Sequence, residues 1–138
     1  MLDRYLLKID NKSEYTHIFK RRTLTESPGG NYVELLTITN FRVKQPKKIV
    51  FVTSRVHPGE SPSSFVCEGL INYLLTDSEE VRQLRDEFIF KIVPMLNPDG
   101  VINGSYRCSL SGYDLNRVWH YDNKISSPEV YYTKRALI

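Results

Sequence analysis

The stretch Ile49-Val50-Phe51-Val52-Thr53-Ser54-Arg55-Val56-His57-Pro58-Gly59-Glu60-Ser61-Pro62 decides the fold. Its first five residues are a continuous β-prone apolar run, the pattern of a strand covered on both faces in a parallel or mixed sheet. Pro58-Gly59 marks a turn. Ser61 stands where a helix cap is expected, and Pro62 suits the first helical turn, where its missing N–H needs no partner. Phe65, Val66, Leu70, Tyr73 and Leu74 follow at helical spacing. Ser78, Glu79 and Glu80 open a short second helix, with acids at the positive end of its dipole. Phe88–Val93 is the next buried strand. Strand, helix and strand in this order imply parallel neighbours joined by a right-handed crossover. The predicted fold is α/β: a mixed, largely parallel central sheet flanked by helices.

Working upstream, Phe41–Lys48 reads as a polar loop containing Pro46 and Asn31–Thr39 as a strand, preceded by the turn Ser27-Pro28-Gly29-Gly30. Residues 4–20 are mixed, with one short apolar piece, Tyr5-Leu6-Leu7-Lys8-Ile9. Segment 1–22 is therefore set apart, as an opening strand or the remnant of a preceding segment, from a domain over 23–138. Downstream, Asn97-Pro98-Asp99-Gly100 predicts a tight turn. A last helix starts at Ser127-Pro128-Glu129 and carries Val130, Tyr131, Lys134, Leu137 and Ile138. The chain stops inside it, so the sheet is expected to be incomplete on the C-terminal side, with an unpaired apolar edge.

The 138 residues, 41% of them hydrophobic, suffice for a real core and do not describe a disordered chain. The net charge of +3 is modest. The clusters Lys20-Arg21-Arg22 and Lys44 to Lys48 read as solvated loop or strand-end charge. They fall short of a nucleic-acid footprint, although a basic surface can draw in an acidic substrate. Cys67 and Cys108 are read as buried thiols, not a disulfide scaffold. No apolar run approaches a membrane span, and Met1 to Tyr5 lack the features of a signal peptide, so an intracellular, cytoplasmic protein is expected.

His57 and Glu60 directly follow the strand at 49–53. Ligand sites in such sheets lie beyond the carboxyl ends of the strands. A His and a Glu three apart across a Pro-Gly turn can address one spot, and both are good zinc ligands. The same pattern also describes a turn His beside a surface Glu. Arg107 and the pair Asn116-Arg117 supply donors suited to a carboxylate or to negative charge developing on a carbonyl oxygen. Each Arg alone equally describes a surface ion-pair partner.

Four stretches occur in order: Arg55-Val56-His57-Pro58-Gly59-Glu60-Ser61, Val93-Pro94-Met95-Leu96-Asn97-Pro98-Asp99-Gly100-Val101, Tyr106-Arg107-Cys108-Ser109-Leu110-Ser111-Gly112 and Asp114-Leu115-Asn116-Arg117-Val118-Trp119. From about Thr23 to the end, the chain resembles the cytosolic carboxypeptidase branch of the carboxypeptidase A-like zinc peptidases. The resemblance implies that His57 and Glu60 are two of three protein ligands to Zn2+. It implies that Arg107 polarises the scissile carbonyl and that Asn116 and Arg117 grip the substrate's terminal carboxylate. The same resemblance implies that Asp114 accepts a hydrogen bond from His57 and fixes its tautomer. The implied substrates are protein or peptide C-terminal tails, including acidic tubulin tails that lose glutamates. The family's third ligand, a His, and its catalytic Glu belong to motifs not found in these 138 residues. His17, His120 and Glu129 are poor substitutes by position. The chain alone is therefore expected to hold zinc weakly and to be inactive; the alternative is a truncated pseudoenzyme that at most binds C-terminal carboxylates.

Overall fold

The strands β3 (Lys48–Thr53) and β4 (Phe88–Val93) pair in parallel, Lys48 against Phe88 through Thr53 against Val93, as their apolar runs predict. The computed structural model describes residues 2–121 and 123–137, so Ile138 of the last predicted helix lies outside the described residues. Two more strands, β1 (Phe19–Glu26) and β2 (Tyr32–Ile38), form an antiparallel hairpin across the Ser27–Gly30 turn, where Gly30 takes a φ of 75°. β2 also pairs antiparallel with β4, giving the order β1-β2-β4-β3. The sheet is mixed, as expected. It is not largely parallel over these strands, because one of its three pairings is parallel and two are antiparallel.

Successive side chains on a strand face opposite ways, and two cores result. On one face Phe19, Leu36, Ile38, Phe90 and Ile92 pack with α1 (Leu2–Asp10) through Leu6 and Ile9, and with α2 (Pro62–Leu74) through Cys67, Ile71 and Leu74. Leu84 of α3 (Glu79–Glu87) joins their rim. On the other face Val33, Leu35 and Val93 pack with Leu96, Leu115 and Val130, the last from α5 (Pro128–Leu137). A short α4 (Pro98–Ile102) follows β4. β3 lies at the sheet's edge, paired on one side only among the described residues, and leaves Ile49 57% exposed.

Several sequence expectations change. Segment 1–22 does not begin as a strand: Leu2, Leu6 and Ile9 recur at helical spacing and form the inner face of α1, while β1 starts at Phe19 and runs past position 22. Of the apolar stripe read on α2, Leu74 is buried and Leu70 packs against the core, but Phe65, Val66 and Tyr73 are exposed, and Cys67 and Ile71 take their place inside. Ser61 has helical backbone and makes no side-chain cap; Ser78 does cap α3, accepting from the Val81 N–H. Arg21 is not solvated strand-end charge. It bridges Asp3 at 3.2 Å, Asp10 at 3.2 Å and Glu34 at 3.0 Å, tying α1 to β1 and β2. Cys67 is buried, which pushes its thiol up to about 11, but Cys108 is only half-buried.

Candidate active site

The loops leaving β3 and β4 meet at their carboxyl ends. Ser54 N–H donates to Val93 O at 2.9 Å and Leu96 N–H to Ser54 O at 2.9 Å, so the two loops leave the sheet zipped together. Asn97 N–H then reaches Arg55 O at 3.3 Å, and its side-chain amide donates to Val56 O at 3.3 Å. The predicted Asn97–Gly100 turn is in fact the opening of α4. Asn97 is its N-cap, accepting from Gly100 N–H at 3.0 Å, and Pro98 opens its first turn. Gly100 lies so close under the His57 turn that any Cβ there would collide with Pro58 and sit 2.9 Å from Cys108 O.

His57 is 7% exposed, held by this brace at the sheet's carboxyl end. Its Nε2 lies 3.0 Å from Asp114 Oδ1 and its Nδ1 lies 2.9 Å from Glu60 Oε1. Asp114 also accepts Arg107 Nε at 2.8 Å and Asn116 N–H at 2.9 Å. Burial pushes the Asp114 carboxyl up, but the bonds from Asn116, His57 and Arg107 outweigh it and hold the group below its ordinary range. An ionised Asp114 accepts the Nε2–H of a neutral His57, which leaves the Nδ1 lone pair facing Glu60.

That imidazole nitrogen and the Glu60 carboxylate oxygen, 2.9 Å apart, are a donor pair that suits zinc. The residues present thus fit part of a zinc site. Among the described residues, no group of three or more His, Cys, Asp or Glu side chains could by itself hold a metal ion. Asp114 faces the other ring nitrogen, and His120 is exposed.

The structure brings His57, Glu60, Asp114 and Arg107 into one connected group. Asn116 joins it through its backbone, and Arg117 shares the same short 3-10 turn, Leu115–Arg117. Their side chains are exposed. The strap carrying Arg107 is fixed to the His57 turn by Gly59 N–H donating to Tyr106 O at 2.8 Å, with the Tyr106 ring against Gly59. Its far end is tied to α5 by Lys134 Nζ on Trp119 O at 2.7 Å.

Sequence reasoning did not foresee the burial of Asp99 and Glu129. Asp99 is fully buried and accepts from Ser27 Oγ, Gly29 N–H and Asn31 Nδ2, so it locks the β1–β2 turn to α4. Glu129 is also fully buried, and neither of its carboxyl oxygens has a partner among the described residues. Burial pushes its carboxyl up to about 7; its own backbone N–H opposes the rise, and the Asp99 charge adds a smaller upward push. A helix-start Glu after Pro reads as a surface acid in sequence. Only the packing of α5 on the sheet puts it inside.

A family model for zinc carboxypeptidases matches residues 7–134, and the chain belongs to that family. It is similar to two mouse proteins: cytosolic carboxypeptidase 2, at 48% identity over 137 residues, and cytosolic carboxypeptidase 6, at 48% over 123 residues. These matches cover 96% and 87% of this chain but 16% and 23% of those proteins, so the chain spans under a quarter of the length of either. The metallo-carboxypeptidase from Burkholderia cenocepacia has the same fold, with a TM-score of 0.86 at 31% identity over 99% of this chain and 36% of that one.

Proposed function

We propose that this chain carries one part of a zinc carboxypeptidase site: two metal ligands, the carbonyl-polarising group and the carboxylate grip. The observation that carries the reading is the ordered chain Glu60–His57–Asp114–Arg107, in which one carboxylate fixes both the imidazole and the guanidinium. Zinc, when bound, supplies Lewis acidity for attack on a peptide carbonyl. His57 Nδ1 and Glu60 hold it. Asp114 keeps the proton on His57 Nε2. Arg107 is bound to Asp114 through Nε alone, which leaves its terminal nitrogens to donate to the scissile carbonyl oxygen as charge develops there. Asn116 and Arg117, exposed beside it, take the substrate's terminal carboxylate and restrict cleavage to chain ends.

The substrates are C-terminal tails of proteins or peptides, with acidic tails that end in glutamate, such as those of tubulin, favoured by the basic surplus of the chain. The site of action is cytoplasmic, in keeping with the names of the relatives; no helix among the described residues is long and apolar enough to cross a membrane. The third zinc ligand and the general base are not among the residues gathered here. The 138 residues alone therefore hold zinc weakly and do not hydrolyse peptides. That favours a second reading, in which the chain binds C-terminal carboxylates without cutting.

Binding of a fluorescent peptide ending in Glu, with a free or an amidated terminus, tests the grip. The free acid is expected to bind at least tenfold more tightly. Equal binding of the two removes the role given to Asn116 and Arg117. Release of free glutamate by the zinc-supplemented chain refutes the inactive assignment and the binding-only reading together.

A further inference from the structure

Arg55 lies two residues before His57 and has a φ of 55°, the one positive value at a non-glycine position among the described residues. L side chains rarely adopt this left-handed region, whereas glycine enters it freely. Backbone of this kind persists where its surroundings over-determine it, and it gathers at functional sites. The surroundings here are specific. Arg55 Nε donates to Pro58 O at 2.8 Å and its Nη1 to Ser64 Oγ at 2.7 Å. Its own carbonyl accepts from Asn97 N–H. No ion pair among the described residues involves Arg55, so a surface salt bridge does not explain the side chain.

The two bonds span a short loop. One end grips the carbonyl inside His57-Pro58-Gly59-Glu60, and the other grips the first turn of α2. Asn97 holds the same turn from the sheet side, through Arg55 O and Val56 O. Arg55 takes this left-handed step just past β3, two residues before His57, which is buried next to Asp114. A glycine would take the same φ without strain but would leave out both side-chain bonds, to the Pro58 carbonyl and to α2.

We propose that Arg55 is a positioning residue for the zinc-ligand pair, its guanidinium tying the His57–Glu60 turn to α2 so that His57 Nδ1 and Glu60 Oε1 converge before metal arrives. The proposal rests on the zinc reading given above. Its size follows from the behaviour of residues behind metal ligands, whose loss weakens metal affinity by roughly 10- to 100-fold.

Ring 15N signals of the three histidines, followed by NMR as zinc is added to the chain, separate the two claims. In the wild type His57 Nδ1 is expected to respond, while His17 and His120 serve as internal references. Arg55→Gly keeps the backbone conformation accessible and removes both tethers. It is expected to raise the zinc concentration for half-response about tenfold, with thermal stability retained. Ser64→Ala removes one tether and is expected to give a smaller rise in the same direction, which decides the matter if Arg55→Gly does not fold. Unchanged half-response in a folded Arg55→Gly, or in Ser64→Ala when the glycine variant is lost, overturns the positioning role and leaves the zinc reading intact. A wild-type His57 that ignores zinc overturns the zinc reading and this proposal with it.

Discussion

His57 and Asp99 sit inside a braced scaffold, whereas Arg107, Asn116 and Arg117 ride on an exposed strap. Behind His57, Asn97 bonds to Arg55 and Val56, Gly100 presses on Pro58, and Asp99 gathers three donors. On the strap, Arg107 has one carboxylate partner among the described residues, Asp114, and Asn116 and Arg117 are exposed. The difference follows from chemistry. A metal needs ligands fixed to a few tenths of an ångström, whereas a substrate's carboxylate must find open donors and leave again. Substitutions in the brace should therefore cost stability, and substitutions on the strap should cost binding alone.

The largest effect is expected at Gly100. Gly100→Val drives side-chain atoms into Pro58, Asn97 and the Cys108 carbonyl, all buried or part-buried. Overpacking of this kind costs up to about 3 kcal/mol and occasionally more, and the upper end is expected here, read by urea unfolding. A variant as stable as the wild type would show that the brace is loose.

Asp99→Ala comes next. It strands Ser27 Oγ, Gly29 N–H and Asn31 Nδ2, and a loss of about 2–3 kcal/mol is expected. It also removes a charge that disfavours ionised Glu129. The carboxyl of Glu129 should therefore titrate lower in this variant, as followed by side-chain carboxyl NMR.

Glu129 itself gives a pH-dependent effect with a fixed sign. Its carboxyl titrates at about 7 when folded against 4.5 as its ordinary value. The folded state binds the proton more tightly, so the stability it contributes is complete below 4.5 and is lost as pH rises through about 7. Glu129→Gln keeps the shape and removes the ionisation. It should be more stable than the wild type at pH 8, by on the order of 2 kcal/mol, and nearly equal to it at pH 4.5. Parallel stability curves across that range would show that Glu129 has partners beyond those described.

The smallest stability effect belongs to the strap. Arg117→Ala should change unfolding free energy by less than about 0.5 kcal/mol. The same variant should lose most of the preference for a free over an amidated C-terminal peptide. A destabilised Arg117→Ala would place that residue with the brace and blur the contrast.

The same division explains what the sequence discloses. β3, β4, α2 and α5 are legible because long apolar runs and well-placed prolines, Pro62 and Pro128, announce them. His57, Glu60, Arg107, Asp114, Asn116 and Arg117 are legible as an ordered set of motifs. β1 is not, because Lys20-Arg21-Arg22 hides a strand whose Arg21 finds acids at positions 3, 10 and 34, a convergence only folding creates. α1 is masked because Tyr5 to Ile9 is also a plausible short strand, and the stripe at Leu2, Leu6 and Ile9 is the discriminating signal. Burial of Asp99 and Glu129 leaves no local mark, since each depends on elements far away in the chain. Asn97 is an intermediate case. Asn-Pro-x-Gly marks a turn in sequence, and the same residues can cap a helix.

The most direct test of the account is the tautomer of His57 in the metal-free chain, read from its ring 15N shifts at a pH where the ring is neutral. The proton is expected on Nε2, donated to Asp114, with Nδ1 bare and turned to Glu60. Asp114→Asn should weaken that preference. A neutral His57 carrying its proton on Nδ1 would mean that Asp114 does not fix the ring, and the zinc-ligand assignment of His57 and Glu60 would fail with it.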